Sequence, residues 1–154
     1  MKIYVTGVSG TGKTSIAKEL ISRKINAVDT DDLCHWENKF TKEITDWQPG
    51  SSDKWHSQNE WICDLENLRK KISKTKDTVV LGDASNRGDY LKLFDKILLL
   101  ICSPKTMISR IEQREDNDFG KHPAEQKIIL NWKNKFESQM LKKGAIKIDT
   151  EKPL

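Results

Sequence analysis

Gly7-Val8-Ser9-Gly10-Thr11-Gly12-Lys13-Thr14 is the stretch whose reading decides the fold of this chain. It matches Gly-x-x-x-x-Gly-Lys-Ser/Thr at every fixed position. It follows a short β-prone run, Lys2-Ile3-Tyr4-Val5-Thr6, and opens a segment with helical periodicity. That strand–loop–helix context is what gives the pattern meaning. Glycines let a backbone wrap closely around an anion with its N–H groups turned inward. The helix that begins at Lys13 adds the positive end of its dipole. Gly7, Ser9, Gly10, Thr11, Gly12, Lys13, Thr14 and Ser15 are therefore expected to cradle the phosphates of a nucleotide. Lys13 would reach the β- and γ-phosphates, and the Thr14 hydroxyl would serve Mg²⁺. The implied cofactors are ATP and Mg²⁺.

Further along the chain, Thr78-Val79-Val80-Leu81 and Ile97-Leu98-Leu99-Leu100-Ile101 are apolar without polar alternation. Strands buried on both faces read this way, which points to a parallel sheet covered by helices. Ala27-Val28 is a weaker strand, and Ala145-Ile146-Lys147-Ile148 a last one. Between them lie helical patterns. Lys13 to Lys24 puts Ile16, Ala17, Leu20 and Ile21 on one stripe. Ser57-x-x-Glu60 reads as a capping box ahead of Trp61, Leu65, Leu68 and Ile72. Ser103-Pro104 is a cap-then-proline start, and Pro123 opens a helix that Gly144 should stop. The order β-α-β-α-β-α-α-β predicts an α/β three-layer fold with a mostly parallel sheet. Leu33 to Ser57 fits less well and reads as an insertion, with a hairpin around Lys39 to Lys42. No helix is expected after the last strand.

The 154 residues suit one domain, which should bury roughly two-thirds of its unfolded surface. The 36% of apolar residues are clustered in short runs, so the 32% of charged residues does not imply disorder. No apolar run approaches the ~20 residues that span a bilayer, and no signal peptide is seen. The net charge of +4 tolerates phosphates but argues against nucleic acid as partner. Cys34, Cys63 and Cys102 show neither CxxC nor zinc spacing and read as reduced thiols of a cytoplasmic protein. A monomer or weak dimer is expected. The tryptophans Trp36, Trp47 and Trp55 either stack on a planar acceptor or form the core of the insertion. His35, His56 and His122 show no ligand spacing.

Asp29-Thr30-Asp31-Asp32 falls at the carboxyl end of the second strand, where open α/β sheets bind ligands. Phosphoryl transfer needs a carboxylate for the hydrated metal, and often one to orient the attacking hydroxyl. The alternative is that these are turn residues, with Asp32 a helix N-cap. Asp83, at the end of an apolar strand, is a second candidate for the metal side. Arg110 and Arg114 fall at i and i+4 and so on one helix face. The polar, glycine-containing stretch after them, to Lys121, suits a hinged cover. The arginines act on phosphates, or pair with Glu112, Glu115 or Asp118 at the surface.

With its loop, length and layout, the chain resembles the small P-loop kinases: adenylate kinase, shikimate kinase, gluconate kinase and their relatives. The resemblance implies a five-stranded parallel sheet in the order 2-3-1-4-5, with a substrate-binding insertion (about residues 33–57) and a mobile lid (about 114–121). It implies that Asp29 contacts the metal through water and that Asp31 binds the acceptor hydroxyl, as in shikimate-type kinases. Gly82 matches the first of the glycines that end strand 3 there, but Asp83 and Ala84 depart from that pattern. Arg87 falls near the acceptor-phosphate arginine of adenylate-type kinases, or is a turn arginine. Arg110 and Arg114 would be lid arginines, with Lys121 third. Asp149-Thr150-Glu151-Lys152-Pro153 falls on the adenine side. The activity implied is ATP- and Mg²⁺-dependent phosphoryl transfer to a small-molecule acceptor, a nucleoside or nucleotide or a hydroxylated metabolite. The rival is a P-loop ATPase or nucleotide-dependent regulator without such an acceptor.

Overall fold

The computed structural model describes residues 1–152. Five short strands form the central sheet: β1 (Lys2–Thr6), β2 (Ala27–Asp29), β6 (Thr78–Leu81), β7 (Lys96–Ile101) and β8 (Ile146–Asp149). They are all parallel and lie in the order β2-β6-β1-β7-β8. Counted along the chain within this sheet, that order is 2-3-1-4-5, as the resemblance implied.

The absence of polar alternation has the expected cause. Tyr4, Val80 and Leu99 pack on one face with α3 (Leu65–Ser73), α4 (Pro104–Gln113) and α5 (Pro123–Lys142). Val5, Leu81 and Leu100 pack on the other with Ala17 of α1 (Lys13–Ser22). Both faces being covered, each strand residue gains by being apolar. Ser103 caps α4, and Gly144, at φ 85°, follows the end of α5. None of the described helices is long and apolar enough to cross a membrane.

A second sheet is antiparallel, in the order β4-β3-β5: β3 (Cys34–Asn38), β4 (Ile44–Thr45) and β5 (Asn59–Cys63). The hairpin between β3 and β4 lies where the sequence placed it. Its turn is held by Asn38, whose Oδ1 accepts from Phe40 N at 2.9 Å and Thr41 N at 3.1 Å.

The capping box at Ser57 and Glu60 is not there. Ser52 caps a short helix, α2 (Asp53–Gln58), and Asn59 to Cys63 then pairs with β3 as a strand. The cap of α3 is Asp64, whose carboxylate accepts from Asn67 N at 3.0 Å. Leu68 and Ile72 do line the buried stripe, but Trp61 sits on β5 opposite Trp36. A strand partner more than twenty residues upstream outweighs the local helix-start signal, because the ladder satisfies the backbone groups of β5.

Candidate functional site

In a parallel sheet the loops that leave the carboxyl ends of the strands gather at one edge, with the crevice at the strand whose neighbours run in opposite connection senses. Here that strand is β1, and it leads straight into the glycine loop. A Cβ on Gly7 would come within 2.7 Å of the Leu100 carbonyl, and one on Gly10 within 2.6 Å of the Met107 carbonyl. The loop is therefore pressed against β7 and α4. Buried Thr11 locks it from inside, donating its hydroxyl to Val8 O at 2.8 Å. Gly12 enters α1 at φ 99°, with no side chain capping that helix. Side chains cap the other four α-helices among the described residues: Ser52, Asp64, Ser103 and His122. The first-turn N–H groups of α1 thus remain available to an anion. Lys13 folds back over the loop, its Nζ donating to Gly7 O at 2.5 Å and Val8 O at 3.1 Å. Burial lowers its pKa against the opposing pull of Asp31, Asp83 and Asp29.

The acidic residues divide. Asp29 ends β2 and accepts from Asp31 N at 3.1 Å, so it caps the 3-10 turn Thr30–Leu33. The cap is thus Asp29 and not Asp32, which is exposed. Asp31 projects from this turn into the field of Lys13 and Arg114. Desolvation, then the like charge of Asp29, pushes its carboxyl above the ordinary range, and the two cations pull it back. Gly82 lies flat on Thr30, where any Cβ would overlap that side chain. The buried Tyr4 hydroxyl donates to Gly82 O at 3.0 Å.

Asp83 is engaged. Arg87 donates to both of its carboxylate oxygens, Nε at 2.5 Å and the terminal nitrogen at 3.0 Å. The guanidinium also lies 5.0 Å from the Phe136 ring centre and 5.7 Å from that of Trp132. Arg87 is therefore neither a bare turn arginine nor a free anion receptor.

Arg110 and Arg114 do not share a face. Helix α4 ends at Gln113, and Arg114 is extended at φ −73° and ψ 144°. Arg110 reaches the loop after β8, donating to Thr150 Oγ1 at 2.9 Å and Thr150 O at 2.8 Å. Arg114 donates to the carbonyls of Asn117, at 2.9 Å, and Phe119. Among the described residues, neither arginine makes an ion pair with Glu112, Glu115 or Asp118. Burial lowers the pKa of Arg114 against Asp116, Asp31 and Asp118. The Asp149–Lys152 part of the adenine-side segment is well tied. Glu151 accepts from Ser103 N at 3.1 Å and Thr106 Oγ1 at 2.6 Å, which holds its carboxyl down at about 2. Pro153 lies outside the described residues.

The polar cover is less loose than its composition suggests. Glu115 to Asp118 are exposed, but Gly120 is buried, and its N–H donates to Glu125 Oε2 at 2.8 Å. Glu125 is fully buried in the first turn of α5. Its other oxygen accepts from Trp47 Nε1 at 2.9 Å and lies 3.7 Å from His56 Nε2. Around it, the Phe119 ring lies 5.7 Å from Trp47 and 6.1 Å from Trp36, and Trp36 lies 5.0 Å from Trp55. The tryptophans are thus the core of the insertion, extended to reach the cover. Glu125 was missed because an acid in a first helical turn reads as a solvent-exposed partner of the dipole. His122, in contrast, is the N-cap of α5.

A parallel five-stranded sheet with a glycine-rich phosphate loop leading into an uncapped helix defines a P-loop domain with the small-kinase fold. The chain belongs to the AAA domain family, whose model matches residues 3–141. It is 27% identical over 117 residues to "Putative adenylate kinase" from Halobacterium salinarum, covering 76% of this chain and 60% of that protein. A protein of the same name from Methanocaldococcus jannaschii is 27% identical over 118 residues, with coverages of 74% and 59%. The chain thus spans about 60% of the length of the curated relatives it matches. Among solved structures, deoxyadenosine kinase from M. mycoides with bound dATP superposes with a TM-score of 0.55 at 17% identity, over 99% of this chain and 93% of that one. A gluconokinase from Sinorhizobium meliloti gives 0.51 at 17% identity, over 99% and 83%. At these identities the likeness is one of fold.

Proposed function

We propose that the chain is an ATP- and Mg²⁺-dependent kinase that transfers a phosphoryl group to a small-molecule acceptor, a nucleoside or nucleotide or a hydroxylated metabolite. The observation that carries this reading is the electrostatic meeting of Lys13, Asp31 and Arg114 beside the uncapped start of α1. Residues from three separate loops converge where a γ-phosphate and an acceptor hydroxyl would meet. The loop Gly7 to Ser15 holds the phosphates, and Lys13 leaves the Gly7 and Val8 carbonyls to meet them. Asp31 accepts a hydrogen bond from the acceptor hydroxyl and takes its proton as the bond to phosphorus forms. Its raised pKa suits a base that must gain a proton. Arg114 supplies positive charge to the transferring group. Arg110 supports this arrangement from the adenine side, through Thr150.

The fit for Mg²⁺ is supported by a hard-oxygen donor set. Thr14 carries its hydroxyl in the first turn of α1 and one Asp29 oxygen is not used in capping, whereas both oxygens of Asp83 are held by Arg87. Thr14 and Asp29 would hold the ion, and Asp83 would join only by releasing Arg87. Bound there, Mg²⁺ supplies charge neutralisation at the β- and γ-oxygens. Gly82 and Arg87 then border the acceptor, and Arg87 meets an acceptor phosphate only if it lets go of Asp83. On this reading residues 33–57 serve as the acceptor-binding insertion of a single kinase-like domain, and 114–121 as its lid. The protein acts in the cytoplasm as a monomer or weak dimer, in keeping with its free thiols.

The test is a screen of nucleosides, nucleotides and polyols for acceptor-dependent ADP release, repeated with Asp31→Asn. The expected result is one acceptor class that accelerates release. The variant should lose about 10²–10⁴-fold of that acceleration with ATP affinity nearly intact. ADP release indifferent to every acceptor would replace the kinase with a P-loop ATPase or nucleotide-dependent regulator.

A further inference from the structure

Cys34 opens β3 and Cys63 closes β5, and the two are direct partners across the antiparallel ladder. Opposite residues in such a ladder alternate between hydrogen-bonded pairs and closer, non-hydrogen-bonded pairs. Asp64 N donates to Leu33 O at 2.9 Å, which makes Leu33 and Asp64 a hydrogen-bonded pair and puts Cys34 and Cys63 in the closer class. The other side of β5 says the same. The backbone of Cys63 points away from β3, its N–H donating to Asn86 Oδ1 at 3.0 Å and its carbonyl accepting from Asn86 Nδ2 at 3.0 Å. In this class the Cα atoms stand about 4.5 Å apart. A disulfide accepts about 4.4–6.8 Å, so the bond closes with little backbone movement.

The pair sits where the insertion leaves the core and where it returns. Cys34 ends the turn that carries Asp31, its N–H donating to Asp31 O. Cys63 is tied through Asn86 to the loop after β6, three residues beyond Asp83. Both thiols are free, Cys34 half-buried and Cys63 buried. Each thiol shifts the other: Cys63 and burial raise the pKa of Cys34, and Cys34 lowers that of Cys63, whose own Sγ donates to Asp64 O at 3.9 Å.

We propose that Cys34 and Cys63 are a reversible dithiol–disulfide site that staples the two ends of the insertion and with them the turn bearing Asp31. The oxidant is a low-molecular-weight disulfide. The Cys34 sulfur, on the less buried of the two residues, attacks it, loses its proton, forms a mixed disulfide and releases one small thiol. The Cys63 sulfur then attacks Cys34, loses its proton and releases the second small thiol. Two protein thiols give up two electrons and two protons, and the small disulfide becomes two thiols. The first step is slow, because Cys34 holds its proton. The second is fast, because it is intramolecular between residues directly opposite on the ladder. The staple rests on no assumption about the reaction catalysed; only its effect on turnover rests on the kinase reading.

The test uses the full chain, folded, with oxidised glutathione, and reads thiol titration, intact mass and peptide mapping. The expected product has lost two of its three titratable thiols, carries no glutathione, and gives a peptide linking Cys34 to Cys63. Dithiothreitol reverses it. Cys102→Ser should form the same link. Cys63→Ser, which removes the resolving sulfur, should instead accumulate a stable glutathione adduct at Cys34. Amide exchange over residues 34–38 and 59–63 should slow on oxidation. A wild-type chain that stops at the glutathione adduct, or that links Cys34 to Cys63 only in denaturant, overturns the proposal. A linked chain with unchanged acceptor-dependent turnover counts against control of turnover by the staple and leaves the site itself established. A chain that links normally but shows no acceptor-dependent turnover in any state counts against the kinase reading alone.

Discussion

The phosphate loop and the antiparallel insertion are held in opposite ways. The loop packs against β7 and α4, but its side-chain hydrogen bonds stay within it: Thr11 bonds to Val8, and Lys13 to Gly7 and Val8. The insertion is secured by residues far along the chain. Ser85 N donates to Trp61 O at 2.7 Å, Asn86 holds Cys63, and Glu125 takes the indole N–H of Trp47. A site half built from local contacts has its shape written in one stretch of sequence. A half built from distant contacts depends on the whole fold being in place, and on buried polar groups that are costly to leave unpaired. The phosphate-binding half should therefore fail only in chemistry when mutated, and the insertion half should fail in stability and motion.

Lys13→Ala is expected to have the largest effect on ATP binding and turnover taken together. It deletes a charge aimed at the transferring group, and losing one such interaction costs about 2.7–4 kcal/mol, or about 10²–10³-fold in turnover. ATP affinity should also fall, while the thermal midpoint and the exchange pattern of residues 34–63 stay as they are. Steady-state ADP release with a melting curve reads both. Unchanged turnover in a folded variant would remove the kinase assignment.

Glu125→Gln should do the reverse. The amide keeps one acceptor oxygen where the carboxylate has two, so either Trp47 Nε1 or Gly120 N loses its partner inside the protein. A cost of about 1–3 kcal/mol is expected in denaturant unfolding. Faster exchange across residues 114–121 and a shift in tryptophan fluorescence should accompany it, with ATP affinity nearly unchanged. If exchange there is already fast in the wild type, the buried carboxylate does not anchor the cover.

The smallest effect on stability belongs to Asp31, which stands between the halves. Its carboxyl pKa is raised on folding. A raised value means that the folded state binds the proton more readily than the unfolded state. The stabilisation this brings is present in full below the ordinary carboxylate pKa and is lost as pH rises through the raised one. Near neutral pH the ionised group, hemmed in by protein on one side but with its residue still exposed on the other, is a small burden. Asp31→Asn should raise the thermal midpoint slightly at about pH 7, with the gain shrinking as the pH falls toward the carboxylate range. A midpoint that is lower than wild type at neutral pH would contradict the desolvation and like-charge repulsion assigned to Asp31.

What the sequence determined follows the same division. The glycine loop, the five strands, the hairpin at Lys39 to Lys42, and the helix entries at Ser103 and Pro123 depend on residues within a few positions of one another. Glycines at φ 84° and 99°, unbroken apolar runs and cap residues state their conformations locally. The resemblance added the strand order, which periodicity does not contain. The tertiary structure alone decided the rest. Asn59 to Cys63 became a strand rather than a helix start because β3 was there to pair with it. Arg110 and Arg114 parted because α4 ends between them. Asp83 acquired Arg87, Trp47 and Gly120 acquired Glu125, and Cys34 acquired Cys63. Each of these pairings needs loops to be closed and water to be expelled before the partners meet. No spacing in the chain records such a contact, because its free energy exists only once the rest of the fold holds the partners together.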